Sequence, residues 1–168
     1  MQDMDHAALW GEFKDLNQKK RWEQRTLSPL ERKHWRQLRL EIERILFRQL
    51  NYPSRDSREH LRLPADLTAF YHADGKHHRN PVTTLGEGGC FVAHPQPQKS
   101  GHELILDLIL PRLTDSLTLK ARVAWSTALS GNPGMGIQFI HCKPEQKATL
   151  YHFIDRQIVT GLGLDQGR

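Results

Sequence analysis

Apolar residues along this chain change their period once, near residue 51, and that change restricts the fold more than any other feature. Before it they recur every three to four positions, the spacing of one helix face. After it they alternate, the spacing of one strand face. Leu9, Phe13 and Leu16 stand at i, i+4 and i+7 and predict a first helix. Thr26-Leu27-Ser28-Pro29 interrupts it; Ser28 suits an N-cap, Pro29 the first helical position, and Glu31 completes a capping box. A second helix carries Trp35, Leu38, Ile42, Ile45 and Leu46 on one stripe, with Arg36, Arg39, Glu43 and Arg44 expected outside it. Two facing stripes predict an antiparallel helical hairpin over residues 1–52. One stripe serving as a dimer seam is the alternative, and the pattern spans too few heptads to choose.

Beyond Asn51-Tyr52-Pro53-Ser54, Leu63, Ala65, Leu67 and Ala69 alternate with polar neighbours up to a turn at Asp74-Gly75-Lys76. Pro81 to Leu85 and Cys90 to Ala93 flank Gly86-Glu87-Gly88-Gly89. Leu104, Leu106, Leu108 and Leu110 share one strand face, with Ile105 and Ile109 opposite. Leu117, Leu119, Ala121, Val123 and Trp125 alternate again, and after the turn Ser130-Gly131-Asn132-Pro133-Gly134 a strand covers Gly136 to Ile140. Leu150, Phe153, Ile154 and Ile158 mark a C-terminal helix. Six strands with no helices between them exclude βαβ units and predict an antiparallel sheet closed into a barrel. The expected class is α+β with a mainly β core: a helical hairpin at 1–52, a six-stranded antiparallel barrel with its C-terminal helix at 53–162, and a flexible tail at 163–168.

Composition excludes several alternatives. At 168 residues the chain suits one full domain with an appendage, and Gly 12 and Pro 9 are ordinary counts. No run approaches the ~18 consecutive apolar residues of a membrane span. The start Met-Gln-Asp-Met-Asp lacks a secretory pattern, so a cytoplasmic location is expected. Cys90 and Cys142 form no C-x-x-C pair and are expected as small buried side chains; the ten histidines lack ligand spacing, so no metal is expected. There is no G-x-S-x-G, H-E-x-x-H or P-loop, and the glycines at 86–89 lie between strands rather than opening a helix. No catalytic residues are assigned, and an enzyme is not expected. The net charge of +5 is concentrated in residues 1–62, where 14 Lys and Arg stand against 10 Asp and Glu. That excess points to an acidic partner; nucleic acid is disfavoured because the excess is also what a solvated helical face shows.

The informative stretch is Arg55-Asp56-Ser57-Arg58-Glu59-His60-Leu61-Arg62. Arg58 and Arg62 form an R-x-x-x-R spacing, and a guanidinium fork grips phosphate or a guanine edge with two parallel bonds. It is followed in order by Thr84-Leu85-Gly86-Glu87-Gly88-Gly89-Cys90-Phe91-Val92, Ala121-Arg122-Val123-Ala124-Trp125 and Gly134-Met135-Gly136-Ile137-Gln138-Phe139. Over about residues 55–160 this order resembles the PilZ domain, the bacterial cyclic di-GMP receptor module. The resemblance implies a six-stranded antiparallel barrel with a C-terminal helix and no further cofactor. It implies that cyclic di-GMP is bound by the R-x-x-x-R arginines and by a second motif, D/N-x-S-x-x-G. Carried over by position, the site is Arg58 and Arg62 with Thr84, Gly86 and Gly89. The first motif is intact. In the second, Thr84 replaces the Asp or Asn and Gly86 the Ser, and only Gly89 matches. Loss of a carboxylate and a hydroxyl contact costs about 2–4.5 kcal/mol together, on the order of 30- to 2000-fold in affinity.

Two functions are therefore expected in competition. One is a second-messenger receptor or adaptor that binds cyclic di-GMP, with the linker at 51–62 ordering on binding. The other is a module without nucleotide that works as a protein–protein scaffold or self-associates through its helical segment.

Overall fold

In a computed structural model of the protein, the described residues are 5–22, 26–49, 58–128 and 131–165. Residues 51–57 of the expected linker and the last residues of the expected tail, 166–168, lie outside them. The chain divides into two compact units, Met1–Leu61 with Arg156–Arg168, and Arg62–Asp155.

The helical unit contains α1 (His6–Trp22) and α2 (Pro29–Leu46). The capping box forms as the sequence predicts: Glu31 N–H donates to Ser28 Oγ at 3.2 Å, and Ser28 N–H donates to the Glu31 carboxylate at 2.9 Å. The Ser28 backbone N–H first, and then the Lys19 ammonium, hold the Glu31 carboxyl below its usual range. The two helices run antiparallel, pinned by Lys19–Glu31 at 3.0 Å and Glu12–His34 at 2.9 Å. Phe13 stacks on Trp35 with ring centroids 6.0 Å apart. The buried face of α1 is Leu9, Phe13 and Asn17, whereas Leu16 is only half-buried. Steps of four keep these three in line, and the Asn17 amide is tolerated inside because Trp35 Nε1 donates to it at 3.1 Å. Trp35, Leu38 and Ile42 are buried, and Ile45 and Leu46 are half-buried.

One expectation fails on α2. Arg39 and Glu43 do not lie outside the apolar stripe; both are fully buried, with Arg39 Nη1 3.4 Å from Glu43 Oε1. Charged side chains are interred only when paired, and here the i, i+4 spacing supplies the pairing.

The barrel unit holds β1 (Arg62–Ala73), β2 (Lys76–Gly86), β3 (Gly89–Ala93), β4 (Glu103–Ile109), β5 (Leu117–Thr127) and β6 (Gly134–Phe139). They close as β1-β2-β3-β6-β5-β4, antiparallel throughout. Asp74 and Gly75 both have positive φ and join β1 to β2 as a two-residue turn matched to the twist of the strands. Leu104, Leu106 and Leu108 point inward and are buried, while Ile105 and Ile109 are exposed. Each large aliphatic side chain withdrawn from water in this way contributes about 1.5–3 kcal/mol.

Irregularities shift the register between Pro64 and Leu67, between Val82 and Thr84, and between Val123 and Trp125. The first falls at Pro64, which cannot donate to a ladder. The third reverses another expectation: Trp125 does not continue the inward face but is 51% exposed. An extra residue on one strand turns every following side chain over.

The α3 helix (Pro144–Gly161) belongs to the barrel unit up to Asp155 and to the helical unit from Arg156. At its start Gln146 donates to the Thr118 carbonyl at 2.6 Å. Leu150, Ile154 and Ile158 are buried as expected, and Phe153 only half-buried.

Candidate functional site

Arg62 opens β1 with its side chain exposed, and its cross-strand partner is Gly86 at the end of β2. Two positions along, Pro64 pairs with Thr84, so Arg62, Gly86 and Thr84 share the outer face of one strand pair. Glycine at 86 removes the side chain facing Arg62, and the residue itself is buried. Thr84 is half-buried and retains a hydroxyl that donates or accepts.

Gly89 opens β3 opposite Gln138 of β6. A Cβ there would lie 2.0 Å from the Ile137 carbonyl oxygen. The glycine is thus required by strand packing, whatever else it does.

Arg58 belongs to the helical unit. Its Nη2 lies 3.3 Å from Glu43 Oε2, and its side chain is 27% exposed. The structure therefore gathers Arg62, Thr84 and Gly86 on one face, sets Gly89 on the adjoining strand, and engages Arg58 with an acidic residue of α2.

The same outer face carries a feature that alternation concealed. Thr84 pairs on its other side with Phe91, Phe91 with Gly136, and Gly136 with Trp125. Phe91 and Trp125 stack at 5.5 Å with planes 30° apart. Trp125 lies flat on Gly136, where a Cβ would come within 2.2 Å of the indole nitrogen. With Phe91 stacked beside it and Gly136 against it, Trp125 is still 51% exposed and leaves aromatic surface on which a base can stack. Val-x-Trp was visible in the sequence, but the bulge that turns Trp125 outward was not.

Next along this face Gln138 pairs with Arg122, whose guanidinium holds Glu103 at 2.7 Å and keeps that carboxyl below its usual range. Among the described residues no group of three or more His, Cys, Asp or Glu is placed to hold a metal. Cys90 is buried and its thiol is pushed up to about 12, the environment of an inert structural cysteine; Cys142 is half-buried rather than buried. No described helix is long and apolar enough to cross a membrane.

A family model described as the PilZ domain matches residues 56–156. No curated protein matches. Among solved structures, Escherichia coli YcgR in complex with c-di-GMP is 17% identical with a TM-score of 0.54, covering 67% of this chain and 51% of that one. The Klebsiella pneumoniae MrkH–c-di-GMP complex is 14% identical with a TM-score of 0.54, covering 66% and 57%. The Bacillus subtilis inhibitor of motility MotI/DgrA is 20% identical with a TM-score of 0.50, covering 62% and 52%. The chain thus spans about half the length of these proteins.

Proposed function

The chain belongs to the PilZ domain family, and from that premise we propose that it is a receptor or adaptor for cyclic di-GMP, bound through Arg58 and Arg62. The observation that carries the proposal is the register of β1 and β2, in which Arg62 of the intact motif stands opposite Gly86 and beside Thr84 of the altered one. Its roles follow from chemistry. Arg62 offers its fork to a phosphate or to the O6/N7 edge of guanine. Arg58 provides the second fork. The Trp125 ring gives a guanine a stacking surface. Thr84 donates to or accepts from the base, more weakly than a carboxylate does.

This assignment needs no catalytic group, and the protein acts by what it binds. YcgR and MrkH were each solved with c-di-GMP, which supports the ligand chosen. A partner face on α2 would not be the stripe itself, because Trp35, Leu38 and Ile42 are covered by the chain.

Isothermal titration with cyclic di-GMP tests the proposal. The protein is expected to bind, and Arg58→Ala or Arg62→Ala to remove the heat. No heat from the unsubstituted protein at ~100 μM ligand, where even a site about a hundredfold weaker than 1 μM would be half filled, overturns it.

A further inference from the structure

The altered second motif is not the whole of what sets the affinity of this site. Arg58 already has an acidic neighbour: Glu43 Oε2 at 3.3 Å, on a residue that is fully buried. The other carboxylate oxygen of Glu43 lies 3.4 Å from Arg39, also fully buried. A carboxylate presents a guanidinium with the same pair of oxygens that a phosphate does. We infer that Glu43 is an internal competitor for Arg58, so that the nucleotide must take this guanidinium from Glu43 and thereby signals its presence to α2. The inference rests on the proposed use of Arg58 in nucleotide binding.

The geometry favours exchange over a permanent bond. A tight charge-assisted contact measures about 2.7–2.9 Å, and this one is longer. The Arg58 side chain is partly exposed, with its Nη1 buried, whereas Glu43 is fully buried. When Arg58 departs, Arg39 remains beside Glu43, so a buried carboxylate is not stranded. The consequence lands on a defined element. The Glu43 carbonyl accepts the Phe47 N–H at 2.9 Å, the bond that caps the end of α2. Glu43 lies in the last turn of α2, so a change in the charge around it acts close to that helix terminus.

The test is titration of the full chain with cyclic di-GMP in Glu43→Gln and Glu43→Asp, each alone and combined with Arg58→Ala. Gln removes the competing charge. Asp keeps a charge for Arg39 and withdraws it from Arg58 by one methylene. Either is expected to tighten binding roughly tenfold, the lower end of what a hydrogen bond to a charged group is worth, and the gain should vanish in combination with Arg58→Ala. A readout needing no substitution is the Glu43 carboxyl ¹³C resonance, which should move on addition of ligand.

Affinities within twofold of the unsubstituted protein, with Arg58→Ala still abolishing binding, overturn the competition and leave the proposed function standing. A Glu43 resonance unmoved at saturation does the same. Binding unaffected by Arg58→Ala, or absent in every variant, overturns both.

Discussion

A hydrogen bond fixes where the proton of His94 sits. The Gln96 N–H donates to His94 Nδ1 at 2.8 Å, so that nitrogen carries no hydrogen. The proton is then on Nε2, which donates to His78 Nδ1 at 3.4 Å. His78 Nε2 in turn lies 3.3 Å from the Ala73 carbonyl. Tyr71 stacks on His78 at 4.9 Å. A proton added to His94 at Nδ1 would break the link from Gln96. Asp74, Lys76, Lys99 and His102 line the same cleft of about 450 Å³. Burial, and then His78, hold the His94 pKa below the ordinary histidine value. The sign follows: the unfolded chain takes up the proton first as pH falls, so the stabilisation is full above the ordinary range and declines as pH drops through 6.5 toward the folded value. His94→Asn keeps an acceptor for Gln96 and cannot titrate. Urea midpoints at pH 7.5 and pH 5.5 should show the unsubstituted protein losing more stability than His94→Asn. Equal losses would disprove the assignment of that pH dependence to His94.

At the scale of the element, Gly89 separates fold from ligand. The motif assigns it to the nucleotide, yet the Ile137 carbonyl already occupies the space of a Cβ. Backbone cannot swing aside as a side chain can, so Gly89→Ala must spread β3 from β6 along a ladder that runs from Gly89↔Gln138 to Ala93↔Gly134. A loss of about 2 kcal/mol or more in denaturant midpoint stability is expected without ligand, within the range for overpacked positions. Unchanged stability in Gly89→Ala together with lost binding would instead make the glycine a ligand contact alone. The sequence carried this element well, because strand period, the Asp74-Gly75 turn and the Ser28 cap are local signals. What it did not carry is set by non-local events. Arg39 and Glu43 look like any exposed i, i+4 pair, and their burial depends on what packs around α2. Trp125 looks like a fifth inward residue, and only pairing with β6 reveals the extra residue that turns it out. Arg62, Thr84 and Gly86 were legible as positions; their meeting on one face needed the β1–β2 register. The contact of Arg58 with Glu43, fifteen residues earlier, left no signal in the spacing at all.

For the molecule as a whole, charge is the property that acts at a distance. The chain carries +5 with a pI near 9.4, and most of the excess lies in residues 1–62, which hold both motif arginines. Cyclic di-GMP bears two phosphates, so the protein's field attracts it before any contact forms. If the proposed site binds the nucleotide, a second motif short of a carboxylate for the guanine edge shifts the expected balance from base toward phosphate. Salt tests that division. The Debye length falls from about 10 Å at 0.1 M to about 3 Å at 1 M, which screens the long-range part and weakens exposed contacts such as those of Arg62. The dissociation constant for cyclic di-GMP should rise roughly fivefold or more over that range, since a single charge–charge contact of about 1 kcal/mol in water is lost to screening. Guanosine, with the base and no phosphate, should bind weakly and change less than twofold. A salt-independent constant for cyclic di-GMP would mean that the arginines are not gripping its phosphates. The binding energy would then have to come from the Trp125 platform and the edge of β2.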